Sequence, residues 1–594
     1  MTAVAFRGRP SEPAARDVFV KAGRSAKAPR YLVPVLGFKQ ELILRLLVMG
    51  WVGSTALFWL WWLAPARGAW TPARAVATAG LSWVFVLGAY FLFFACRLNR
   101  PNPALAIPEL RVAIVVTKAP SEPWAMVEKT LRAMLAQDLP YKYDVWLADE
   151  HPSGGTLHWC KGHGVHVSTR YGVTEYHQPT WPRRTKSKEG NLAYFYDRFG
   201  YDGYDVVAQL DADHVPSPTY LKEMVRPFAD PRVGYVAAPS VCDANAEKGW
   251  TVKGRLNREA SMHGPVQSGS NGGWAPMCFG SHYAVRTAAL REVGGLGPEL
   301  AEDYTTTLWL QSAGWSGVFT LDAEAHGDGP ETFDDMLTQE LQWSRSLGTI
   351  FTKWAPAKFG TLGWKARARM MFALLFYFVQ GLVCIAAAIL PAVGVMTGVA
   401  WVKTSFAEFY LYLWLPSLFL ISSLAWLRRC GVLRPVRARI WSLDLVLFQL
   451  VRWPWTTWGF MEGMWSGRRA APKSFRVTPK GLTTARPLSL KMITPLLVLA
   501  VVPSAVIALA PHPRATVGLT MVLMFQSVMY LAATSTVIVL HVMSNAQLPS
   551  RRRDRFNKAA LLTWQSGGAA AAATAAAALV VASILVWRAP AFLG

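Results

Sequence analysis

The sequence predicts an α/β domain inserted into a polytopic α-helical membrane domain of about seven transmembrane helices plus interfacial helices. Three observations predict it. Of 594 residues, 52% are hydrophobic and only 16% charged, with 27 Trp, which is membrane-like usage. Apolar runs long enough to cross a bilayer stand on both sides of a central stretch that lacks them. Inside that stretch, short β-branched runs end in carboxylates, the pattern of buried parallel strands whose carboxyl ends line a binding edge.

Taken in order, residues 1–40 are basic and rich in Ala and Pro, and read as a disordered cytoplasmic tail rather than a signal peptide. Residues 41–97 hold two spans, near 42–64 and 73–96. Residues 105–352 have the composition of a soluble domain. Residues 353–545 return to membrane usage, with spans expected at 370–393, 408–427, 492–510 and 519–543. Within this part, 441–465 mixes Trp with Arg452 and Pro454 and reads as a helix lying in the interface, a crossing being the alternative. Residues 546–594 give a basic loop and a last Ala-rich span near 569–586. The formal charge is +24, much of it beside apolar segments, so it is first a topology signal. It puts the central domain on the cytosolic side of a bacterial inner membrane and argues against a soluble nucleic-acid-binding protein. Six scattered Cys without a C-x-x-C exclude a disulfide framework or zinc site.

The chemistry gathers at strand ends. The run from Asp205 leads into Asp211, Ala212, Asp213 and His214, hard ligands suited to Mg2+ or Mn2+ carrying a diphosphate. The bland alternative is a turn with an Asp N-cap. Runs ending at Thr117 and Asp149 reach the same edge, and 122–137 has helical periodicity, so this part reads β-α-β. Lys188, with Gly190 two residues on, supplies a cation and a glycine turn fit for phosphate. Glu302 and Asp303 open a helix, where an N-cap role competes with chemistry. Gln339, Gln342 and Trp343 share one face of a further helix, and ordinary packing is the bland reading of Trp343. Trp59, Trp61 and Trp62 read as an interfacial belt.

These residues carry a resemblance. The D, D-x-D, T-E-D and Q-x-x-R-W pattern of processive, membrane-integrated family 2 glycosyltransferases is met by Asp149, by Asp211-Ala-Asp213, by Ala301-Glu-Asp303 and by Gln339-Glu-Leu-Gln-Trp343. The chain resembles cellulose synthase and its curdlan and hyaluronan synthase relatives over roughly residues 40–545. Phe475-Arg-Val-Thr-Pro-Lys480 matches the F-x-V-T-x-K gating loop of cellulose-synthase-like members, at 470–482.

The resemblance implies a GT-A (Rossmann-like) domain that uses a UDP-sugar, expected to be UDP-glucose. Thr117, Glu122, Asp149, Lys188, Asp211 and Arg345 would bind the donor, and Asp211, Asp213 and His214 would hold the metal. Asp303 would be the general base. Gln339, Gln342 and Trp343 would seat the growing polysaccharide, while Phe475, Val477, Thr478 and Lys480 would close over the nucleotide. Inversion of an α-linked donor gives a β-linkage.

Departures shape the product expectation. Gln342 replaces the motif arginine, and Arg345, three residues on, is expected to restore that charge. The family's F-F-C-G-S reads Met277-Cys-Phe-Gly-Ser281, and T-Y-N-E-P is loosened to Thr117-Lys-Ala-Pro-Ser-Glu-Pro123. These changes favour a β-1,3 (curdlan-like) or mixed-linkage glucan over cellulose, with hyaluronan- or chitin-type products and an inactive scaffold as alternatives. Envelope export partners are expected. A cyclic di-GMP effector would act without the PilZ barrel that relatives carry, through Arg551–Arg555 at most.

Overall fold

The computed structural model describes residues 30–469 except 186 and 281, then 488–510, 516–547, 567–569 and 571–582. At its centre lies a seven-stranded mixed sheet. Its order is Ser316–Phe319, Val233–Ala237, Tyr283–Arg286, Val206–Asp211, Val112–Lys118, Tyr143–Asp149 and His166–Ser168. Val112–Lys118 pairs parallel with both Val206–Asp211 and Tyr143–Asp149, as expected of three runs that deliver polar residues to one edge. Tyr283–Arg286 inserts antiparallel between Val206–Asp211 and Val233–Ala237.

The strand period of two explains the two cores. Val112, Ile114 and Val116 turn to one face, where they meet Val127, Leu131 and Met134 of the Trp124–Leu135 helix. Ala113 and Val115 turn to the other, which packs on Leu192 and Phe195 and also on Leu44, Ala95, Leu98 and Leu427. The second core therefore joins the sheet directly to the ends of long apolar helices. Below the main sheet, Val215–Pro216, Ala325–His326 and Ser240–Val241 form a small second one.

Among the described residues, six helices are long and apolar enough to cross a membrane. They are Phe38–Leu63, Pro72–Ala95, Trp364–Thr397, Phe406–Arg429, Leu490–Leu509 and Val517–Ser544. They fall where six of the seven spans are expected. The seventh corresponds to Gly567–Ala582, which is shorter. The 441–465 piece forms one helix, Leu443–Arg469, and is not among the six. Two expectations need adjusting. Leu32–Pro34, placed in the tail, pairs antiparallel with Asn99–Pro101. Trp61 and Trp62 are buried rather than spread as a belt: Trp61 stacks on Tyr412 at 4.5 Å, and Trp62 Nε1 donates to Thr78 Oγ1 at 2.9 Å. The motif residues Phe475, Val477, Thr478 and Lys480, the basic run 551–555 and Ser281 lie outside the described residues.

Candidate active site

Three adjacent parallel strands bring Thr117, Asp149 and Asp211 to one edge. Thr117 is in register with Asp211, and Lys118 with Asp149. Asp149 is fully buried; its Oδ1 accepts from the His151 backbone N–H at 2.9 Å, and the Lys118 ammonium lies 3.2 Å from Oδ2. Sequence reasoning passed over Lys118, although its place beside Thr117 on the same strand end was a usable signal. Glu122 accepts from the Ala119 N–H at 2.7 Å and so shapes the loop after the first strand.

Lys188 begins the Lys188–Phe195 helix, capped by Ser187, whose Oγ accepts from the Gly190 N–H. Its Nζ is 2.9 Å from Asp211 Oδ1 and 3.7 Å from Glu302 Oε1. Burial works against the ammonium, but Asp211 and Glu302 keep its pKa above the usual value. Burial likewise opposes the Asp211 carboxylate, yet Lys188 and His214 hold it well below the ordinary range. The loop ahead of Lys188 is tied by Arg170, fully buried and paired with Glu150. Arg170 donates to the carbonyls of Tyr176, Arg184 and Ser187 at 2.7, 3.0 and 3.3 Å.

The expected three-ligand metal set is not assembled. Among the described residues, no group of three or more His, Cys, Asp and Glu side chains is arranged to hold a metal. His214 is turned inward: Nδ1 lies 3.2 Å from Asp213 Oδ1, Nε2 lies 3.8 Å from Cys242 Sγ, and the ring packs 4.0 Å from that of His282. A Cβ on Gly327 would come within 2.3 Å of that ring, so the close fit requires glycine there. Burial pushes the imidazole pKa down, but the Asp213 carboxylate lifts it to about 10, so the two side chains form an internal pair. Asp213 Oδ2 accepts from the Asp328 N–H at 2.9 Å. Asp211 and Asp213 are the carboxylates that would hold a hard divalent cation, for which oxygen ligands are suited.

Asp303 sits in the first turn of the Glu302–Ser312 helix, whose N-cap is Ala301, so the N-cap alternative does not apply. Its two oxygens accept from the backbone N–H groups of Gly280 and Tyr304, each at 2.7 Å. Gly280 has φ +63°, a conformation that only glycine adopts easily, and it aims that N–H at the carboxylate. The altered Met277–Ser281 motif thus still supports Asp303. Burial, with Glu302 as a negative neighbour, raises the Asp303 pKa to about 8, suited to a general base.

The Phe333–Thr349 helix is capped by Thr332, which accepts from the Asp335 N–H at 3.1 Å. Gln339 and Trp343 do share a face, and both meet a residue sequence reasoning missed. Arg255, from the Trp250–Ser261 helix, donates to Gln339 Oε1 at 3.3 Å and lies over the Trp343 ring at 4.7 Å. Gln342 is buried on the neighbouring side. Arg345 is half-buried, and the acidic group acting on it is Glu299 rather than Asp211. The Leu443–Arg469 helix packs along this one through glycines: Cβ atoms on Gly459 and Gly463 would come within 2.2 and 2.0 Å of Ser344 Oγ and the Arg345 carbonyl. A buried ion pair, Arg452 Nη1 to Glu340 Oε2 at 2.6 Å, pins the same two helices.

Residues 206–456 match the family described as glycosyl transferase family group 2. The chain is 23% identical over 322 residues to the UDP-forming cellulose synthase catalytic subunit of Xanthomonas axonopodis pv. citri (strain 306), covering 52% of this chain and 42% of that protein. To the corresponding protein of Pseudomonas fluorescens (strain SBW25) it is 26% identical over 264 residues, 43% of this chain and 34% of the relative. The chain thus spans less than half the length of these curated relatives. Among solved structures, a mannosyltransferase from Pyrobaculum calidifontis in complex with GDP-Man and Mn2+ aligns at 15% identity and TM-score 0.43, over 66% of this chain and 98% of that one. The matched region takes in Asp211, Asp213, Asp303, Gln339 and Trp343, and the chain is similar, over part of its length, to family 2 glycosyltransferases and to cellulose synthase catalytic subunits.

Proposed function

We propose that the protein is a membrane-integrated, processive, inverting glycosyltransferase that extends a β-linked glycan from a UDP-sugar and passes it across the inner membrane. One observation carries the reading: Asp211, Lys188 and Glu302 converge within 2.9 and 3.7 Å, next to Asp303. Asp211 and Asp213 would hold Mg2+ or Mn2+, which supplies charge neutralisation at the diphosphate. Lys188 adds a second positive charge where the leaving group develops negative charge. Asp149 and Thr117, level with these residues on the sheet edge, suit the nucleoside. Asp303 takes the proton from the acceptor hydroxyl, and one displacement with one base inverts the anomeric centre.

UDP-glucose is the donor we favour. The altered acceptor motifs favour a β-1,3 or mixed-linkage product. The named relatives are cellulose synthases, which supports a β-1,4 product at least as well. The test is incorporation of labelled sugar from UDP-glucose into polymer by the purified chain in lipid, followed by digestion with linkage-specific glucanases. Polymer that one enzyme class degrades supports the reading and assigns the linkage. Failure to transfer from any UDP-sugar, with either metal, overturns it in favour of an inactive scaffold.

A further inference from the structure

The Trp250–Ser261 helix has no part in the motif pattern, yet it delivers a buried cation to the proposed acceptor residues. It is wedged against the Leu443–Arg469 helix, where a Cβ on Gly254 would come within 2.6 Å of the Asp444 carbonyl. That contact points the next residue, Arg255, toward the Phe333–Thr349 helix. Arg255 is 9% exposed. Its guanidinium pairs with Glu259 at 3.1 Å, donates to Gln339 Oε1 at 3.3 Å and covers the Trp343 ring at 4.7 Å. Arg258 lies 3.8 Å from the other Glu259 oxygen, and His263 Nε2 lies 3.9 Å from the oxygen that Arg255 meets.

A buried guanidinium is expensive, so its partners matter. A guanidinium can only donate, so it meets the carbonyl oxygen of Gln339 and fixes which way that amide is turned. A planar cation on one face of an indole fixes the ring and covers that face, leaving the opposite one for another group. Gln342 adds no charge to the same turn.

We infer that Arg255 is the positioning residue of the acceptor site, fixing the orientation of the Gln339 amide and of the Trp343 ring against which the terminal sugar of the glycan would rest. This rests on the function proposed above. The sugar hydroxyl to be deprotonated is thereby placed by a residue that touches neither donor nor metal. The cation that the Gln339–Trp343 motif lacks is supplied from a different helix and acts through two neighbours instead of directly.

The experiment uses the full chain in lipid with UDP-glucose, Mn2+ and added β-linked gluco-oligosaccharide as acceptor, alongside UDP binding by calorimetry. Arg255→Ala is expected to raise the acceptor KM about tenfold and shorten the product, with UDP affinity within about twofold of wild type. Arg255→Lys keeps a donor for Gln339 without the planar stack and is expected to recover part of the KM. An acceptor KM and product length within about twofold of wild type in Arg255→Ala would overturn the inference. So would equal loss of UDP binding and acceptor use in both variants, since that marks a purely structural residue. If the wild-type chain itself transfers nothing, the enzymatic reading falls first.

Discussion

The donor edge and the acceptor helix are built in opposite ways. At the proposed donor edge, Thr117, Asp149 and Asp211 each arrive at the end of a strand, and parallel register alone levels Thr117 with Asp211. At the acceptor helix, Gln339 and Trp343 are placed by contacts with segments remote in the chain: Arg255 from one helix, Arg452 and a glycine seam from another. The sheet edge gains its precision from backbone hydrogen bonds. The helix gains it from buried charge and close packing, which is more sensitive to single substitutions.

The contrast can be broken in steps, from the largest effect down. Asp303→Asn should reduce glycosyl transfer by about 10³-fold with UDP binding retained, measured as labelled polymer and by calorimetry, because the base is lost but the donor edge is not. Lys188→Ala should lower kcat by about 10²-fold and also weaken UDP binding, since the charge serves the diphosphate. In the acceptor half the cost should fall on stability. Glu340→Gln leaves Arg452 buried without its counter-charge, for about 3–5 kcal/mol, read as a drop in the thermal midpoint. Replacing both partners with apolar residues should return most of it. Gly463→Ala inserts a methyl against the Arg345 carbonyl and should cost about 1–3 kcal/mol.

The smallest effect is one of pH. Burial raises the Asp303 pKa to about 8, so the carboxyl is mostly protonated at neutral pH and becomes a competent base only as pH rises. In wild type kcat/KM should therefore climb through neutrality and level off above about pH 8, whereas any residual activity of Asp303→Asn should lack that limb.

Sequence reading places Thr117, Asp149 and Asp211 at one sheet edge because the information for strand ends is local. A β-branched run, a following carboxylate and a span-length apolar segment each announce themselves within a few residues. His214 failed for a reason of side-chain direction: one residue beyond Asp213, it turns inward to Cys242, a partner 28 positions away. Arg255 was missed because its importance lies entirely in what packs on it. A trace existed in the i, i+4, i+8 spacing of Arg255, Glu259 and His263, a charged stripe on a helix that had to be buried. Residues 32–34 were assigned to the tail because three residues carry too little periodicity to register as a strand.

The glycine seam also constrains how this chain can vary. Along it, the Phe333–Thr349 and Leu443–Arg469 helices have no side-chain cushion between their backbones, and the Glu340–Arg452 pair welds them. They must tilt together or not at all. A side chain at Gly459 or Gly463 would force the two backbones apart. On the function proposed above, moving the pair as one body against the sheet edge would reorient the acceptor hydroxyl while Asp149 and Asp211 stay where they are.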